Sequence, residues 1–154
     1  MPTTLDPDTA RQVAVALFNH VWDLLERSDR GPHDNDEMVH AAHASRYHWG
    51  RVGGPVNLAR GEWQCSRVYS VLGRVEPALH HAHRCLDIAT AHDLGPFDTG
   101  CGHEALARAY SVIGDLDAMV HHAAQAHALA AEIADAEDRE ILLADLSRLR
   151  VRSA

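Results

Sequence analysis

Lysine is absent from this chain: its basic residues are arginines, fourteen Lys+Arg positions in all, read without exception as Arg. Every cation is therefore a planar, permanently charged fork suited to carboxylates and aromatic faces. The formal net charge is −8. That excludes general affinity for nucleic acid or for an anionic membrane, both of which need cationic surface. The cysteines, Cys65, Cys85 and Cys101, are odd in number and form no CxxC. A disulfide framework or a cysteine zinc site is thereby excluded, and the cytoplasm is the expected compartment. No apolar run approaches the ~18 residues of a membrane span. The opening MPTTLDPDTAR lacks the basic region and apolar stretch of a signal peptide. Aromatics make up only 5% of the chain, and no segment carries the alternation of a strand.

What is present is alanine-rich helical periodicity, in a chain 46% hydrophobic, enough for a packed core. Asp6-Pro7-Asp8 reads as a helix start. The helix over Pro7 to Glu26 places Val13, Ala14, Leu17, Phe18, Val21, Leu24 and Leu25 on one broad face. After a loop at 28–33, Asp34 or Asn35 is the expected cap of a second helix, about Asn35 to Trp49. The Gly50–Pro55 segment breaks the chain. Helices are then expected over Pro55 to Leu72, Glu76 to His92, about Thr99 to Ile113, about Leu116 to Ala134 and about Ala136 to Arg150. The last ends in Arg148, Arg150 and Arg152, where a helix dipole favours cations.

These helices repeat. YSVLGRVEPALHHA, Tyr69 to Ala82, aligns with YSVIGDLDAMVHHA, Tyr110 to Ala123, at a shift of 41 residues. Val39-His40-Ala41-Ala42 aligns more loosely with Leu79-His80-His81-Ala82 at a shift of 40. A period of this size signals a stacked helical array. The expected fold is all-α, a single domain of three antiparallel hairpins, about 7–49, 55–92 and 99–134, with a capping helix at about 136–150. Terminal repeats need such a polar cap.

Tyr69, Gly73, Ala78 and Cys85 in one unit, and Tyr110, Gly114 and Ala126 in the next, resemble the tetratricopeptide-type repeat in a long, 41-residue variant. Met119 stands where that pattern has Ala, and Glu62 and His103 stand where it has an early Trp. The resemblance implies a short right-handed array whose first helices line a concave groove. It also implies a role in binding protein or peptide.

Arg60, Trp63 and Arg67 lie on one face of the third helix at i, i+3 and i+7. Glu104 and Arg108 occupy the matching region of the fifth helix, with Arg67 and Arg108 repeat-equivalent. Two guanidinium forks beside an indole suit a carboxylate, a phosphate or a peptide terminus. The competing view is a solvated face with an internal Glu104–Arg108 pair at i+4. The expected ligand is a peptide or small anion held by Arg60, Trp63, Arg67, Glu104 and Arg108. Self-association into a homo-oligomer is a further expectation, because three repeats leave apolar ends.

Thirteen histidines give the alternative reading. His40 and His43 sit on the second helix, His80, His81 and His83 on the fourth, and His121 and His122 on the sixth. Repeat-equivalent His40, His80 and His121 would run as a ladder down the outer helices. Helix axes ~8–10 Å apart are too wide for one ion at ~2.0–2.1 Å, unless staggered residues such as His43 and His80 lean together. This reading makes the chain a histidine-rich protein binding a transition metal, zinc or similar, or haem, and in one form a metal-dependent enzyme. Inherited surface histidines are the plainer account. Cys101, beside His103 near a helix start, is a candidate reactive thiol.

Overall fold

The computed structural model describes residues 4–149. Those residues form seven α-helices and no strand: α1 (Pro7–Glu26), α2 (Pro32–Val52), α3 (Pro55–Val71), α4 (Val75–Ala91), α5 (Pro96–Ile113), α6 (Leu116–Ala130) and α7 (Ala136–Ser147). Residues 150–154, which include Arg150 and Arg152 of the expected final turn, lie outside the described part.

Each helix start has a local cause. Asp6 Oδ1 accepts the Thr9 amide at 3.0 Å, satisfying one of the free N–H groups of the first turn of α1. For α2 the capping expectation is corrected. The helix opens three residues before Asn35, at Pro32, with Gly31 as N-cap. Asp34 lies inside the first turn, and its carboxylate reaches back to the Gly31 amide at 2.9 Å. Asn57 does the same for the Gly54 amide at 3.0 Å. Proline is preorganised for the first helical position, so Gly31-Pro32, Gly54-Pro55 and Gly95-Pro96 each begin a helix at the proline. This is why α5 starts at Pro96 rather than Thr99. At the other end of the chain the helices are shorter than periodicity suggested. α6 stops at Ala130, and α7 stops at Ser147 with Arg148 as its C-cap.

The turns that join the hairpins carry the repeat. Gly73 has φ 71° and Gly114 φ 83°, the left-handed region in which a Cβ is strained. The following amides, Arg74 and Asp115, return to the carbonyls of Tyr69 and Tyr110 at 2.9 and 3.1 Å. Two turns 41 residues apart thus close in one way.

α1 pairs with α2, α3 with α4, and α5 with α6. α3 lies between α1 and α5 along one side, and α7 packs on α5 and α6. Three apolar clusters follow the array. Val21, Leu24, Met38, Ala41, Ala42, Cys65 and Val68 seal the first hairpin to α3. Ala82, Ala105 and Leu106 join α4 to α5. Ala126, Ala130, Ile133, Leu142 and Leu146 seat α7. Ala is the commonest buried residue, so the helices approach closely. Among the glycines the closest approach to another helix's backbone is at Gly102, where an added Cβ would stand 2.9 Å from the Leu86 Cα.

That contact is with backbone, and relief requires α4 and α5 to move apart. Gly102→Ala should destabilise the fold by about 1–3 kcal/mol, as overpacking does elsewhere. Urea unfolding followed by far-UV circular dichroism reads this directly, and an unchanged midpoint would contradict the assigned packing.

Candidate functional site

The side of the array built by α1, α3 and α5 carries an open cavity of about 250 Å³, to which α7 also contributes lining. Its apolar lining comes from Phe18 and Trp22 of α1, Trp63 of α3, Phe97 of α5 and Ile141 of α7. Arg60, Asp98, Asp138 and Asp145 supply its charges. Trp22 and Trp63 pack with ring centroids 5.6 Å apart, and Phe18 meets Trp22 edge-on at 6.4 Å. Such aromatic walls are typical of pockets for small molecules or single side chains.

Of the five residues expected to bind a ligand, Arg60 and Trp63 line the cavity, Arg67 and Glu104 contact Trp63 from behind it, Arg108 lines a separate hollow, and each has an internal partner. Trp63 donates its indole N–H to Glu104 Oε2 at 2.9 Å. Arg108 pairs with the other oxygen of Glu104, the i,i+4 contact of the plainer reading. Arg67 and Arg108 stand side by side, as their repeat equivalence requires, and both face Asp145 of α7, at 3.3 and 3.9 Å. Arg67 also lies over the rings of Trp22 and Trp63, at 5.9 and 5.7 Å. Burial lowers its guanidinium pKa first, and the neighbouring Arg108 lowers it further. Arg60 grips Asp98 with two bonds, at 2.9 and 3.3 Å, and lies 5.5 Å from the Phe97 ring centre. The forks expected to hold an external anion are thus occupied by Asp98, Glu104 and Asp145.

Asp98, Asp138 and Asp145 escape a sequence-level reading because they come from the start of α5 and from a cap. Trp22 had a signal. It precedes Trp63 by the same 41 residues that separate Trp63 from Glu104.

The histidines divide. His40, His80, His83 and His121 are exposed, and the expected ladder is not built. Among the described residues the backbones of α2 and α4 do not come close, nor do those of α4 and α6. His43 does lean across from α2, but toward His81 rather than His80: their ring centroids are 5.2 Å apart. His43 Nε2 bonds the Tyr69 hydroxyl at 2.7 Å, and Tyr69 stacks on His81 at an interplanar angle of 7°. His122 stacks on Tyr110 in the same manner, at 2°. His81 Nδ1 meets buried Glu62 at 2.6 Å, and His122 Nδ1 meets His103 Nδ1 at 3.1 Å. Glu62 and His103 are equivalent positions, so one framework bond is made with two chemistries. Among the described residues no three His, Cys, Asp or Glu side chains converge as a metal ligand set. Cys101 does not fit a reactive thiol: burial pushes its pKa well up, and it lies beyond the first turn of α5.

Burial alone would raise the Glu62 carboxyl. His81, Arg84 and Arg46 outweigh it and hold the pKa at about 2. Arg46 and Arg84 approach its Oε1 at 2.9 and 3.1 Å. Burial, with His103, His121 and His83 nearby, depresses His122 to about 4.

Both depressed groups bind more protons unfolded than folded, so stability is fully present above their unfolded values and is lost on acidification. For His122 the loss runs from pH 6.5 down to about 4, and for Glu62 from 4.5 down to about 2. Across its window Glu62 accounts for about 3 kcal/mol. Glu62→Gln should flatten the lower part of a stability-against-pH curve and His122→Gln the upper part. Denaturant titrations at fixed pH steps measure both, and slopes identical to wild type would refute the assignment.

The chain matches no family model, no curated protein and no solved structure.

Proposed function

We propose that this chain is a binding module of the tetratricopeptide-like kind, whose concave side takes a peptide by seating one bulky apolar side chain in the aromatic cavity. The cavity itself carries this reading: Phe18, Trp22, Trp63, Phe97 and Ile141 line one opening, none of the five is fully buried, and clustered partly exposed aromatics mark recognition surfaces. A volume near 250 Å³ is below the ~300–1,000 Å³ of pockets for drug-sized ligands and suits a single side chain. The repeated turns and the 41-residue register support the repeat reading. Pairing of every groove arginine with a carboxylate shifts the emphasis from a small anion to the apolar body of the ligand.

Among the described residues no helix is long and apolar enough to cross a membrane. Cys65, Cys85 and Cys101 are unpaired thiols, which supports placing the module in the cytoplasm. Leu116 and Val120, about half exposed on one face of α6, support self-association.

A random peptide library panned on the full chain should enrich sequences sharing one large apolar residue. Phe97→Ala and Ile141→Ala should each weaken the enriched peptides about tenfold or more, a range ordinary for residues lining an anchor pocket, with helix content unchanged. Enrichment that survives both substitutions would place binding elsewhere.

A further inference from the structure

The charges around the cavity do not balance evenly, and the imbalance indicates which ligands it prefers. Arg60 is bonded twice to Asp98. Arg67 is bonded to Asp145, and Arg108 to Glu104. Arg148, the other cation near Asp145, is 3.9 Å away and lines a separate hollow with Ser70, Val71 and Leu149. Asp138 also lines the cavity, yet among the described residues it takes part in no ion pair within 4 Å. Its neighbour Arg139 turns away and donates to the Ile133 carbonyl at 3.3 Å. Asp138 sits in the first turn of α7, where the helix dipole favours a negative charge.

The aromatic walls have the same preference. Their ring faces are electron-rich and attract cations, and three already have guanidinium groups of the chain lying near them, Arg67 on the indoles of Trp22 and Trp63 and Arg60 on Phe97. An entering anion would meet Asp98, Asp138 and Asp145 with the facing arginines already engaged. An entering cation would meet Asp138, which has no ion-pair partner within 4 Å among the described residues and feels the already engaged Arg60 only at longer range, beside aromatic rings.

Building on the groove reading, we propose that the cavity selects a ligand with a single cationic head, an ammonium or guanidinium, on an apolar body, and that Asp138 is the residue that pairs with the head. In a peptide ligand this corresponds to a basic group next to the anchoring apolar residue.

Three probes sharing one ring separate the two layers of the proposal: phenethylamine, 2-phenylethanol and 3-phenylpropionate, titrated onto the full chain by ligand-observed NMR at pH 7. The amine should bind about ten- to a hundredfold tighter than the alcohol, the range of a hydrogen bond to a charged group, and the carboxylate weakest of all. Asp138→Asn should bring the amine to the level of the alcohol and leave the alcohol unchanged. Glu137→Gln removes the same charge from the same helical turn without touching the cavity, and it should preserve the preference for the amine. Equal binding of the three probes, or equal losses in the two variants, would overturn the cationic selectivity while leaving the apolar groove standing. No binding by any probe would overturn the groove reading itself. Retained secondary structure and melting behaviour of each variant establish that it is folded.

Discussion

The arrangement of this protein depends on buried carboxylates that must find cations. Glu62 and Glu104 are 3% and 1% exposed, and a carboxylate so placed is costly unless it is paired and hydrogen-bonded. Glu62 meets this requirement by drawing Arg46 from α2 and His81 and Arg84 from α4 onto one oxygen pair. Glu104 draws the Trp63 indole from α3 and Arg108 from its own helix. Each acid therefore fixes how neighbouring helices sit, something small alanine side chains specify weakly. Alanine contacts allow the helices to come close, and the ion pairs select the register in which they do.

One backbone repeat carries different side-chain chemistry at each copy. Position by position, Val21, Glu62 and His103 are equivalent, and so are Trp22, Trp63 and Glu104. The first series runs from apolar core, through a buried acid, to an imidazole that meets another imidazole. The second builds the groove: two indoles face each other, and the third copy supplies the carboxylate that one of them bonds. α7 then brings Asp138, Ile141 and Asp145 across the open side. The cap thus also serves as one wall of the cavity, and its Asp145 holds the two repeat-equivalent arginines together.

The helices were legible because their apolar periodicity and glycine turns are local signals. Helix starts were legible where an acid precedes the proline, as at Asp6. Of the three Gly-Pro steps only Gly54-Pro55 reads as a helix start; Pro32 and Pro96 fall to the preceding loops, because turn and helix start share those residues. Arg60, Trp63, Arg67, Glu104 and Arg108 could be grouped in advance, since repeat geometry places first helices side by side. Their internal pairing could not be. Asp145 lies 78 residues from Arg67, and no spacing rule connects a cap to a repeat. The histidine ladder failed for a related reason. It assumed that outer helices pack on one another, whereas α4 packs on α3 and α5, and α6 on α5 and α7, which lets His81 stack on Tyr69 and His122 on Tyr110.

The account rests most heavily on α7 being held to the groove through Arg67 and Asp145. A double-mutant cycle with Arg67→Met, Asp145→Asn and the pair, followed by denaturant unfolding, measures that link. A coupling of about 0.5–3 kcal/mol is predicted for a pair in contact, the double substitution costing that much less than the sum of the two single ones. Additive effects would mean that the two side chains do not meet, and the walled cavity described here would lose its fourth side.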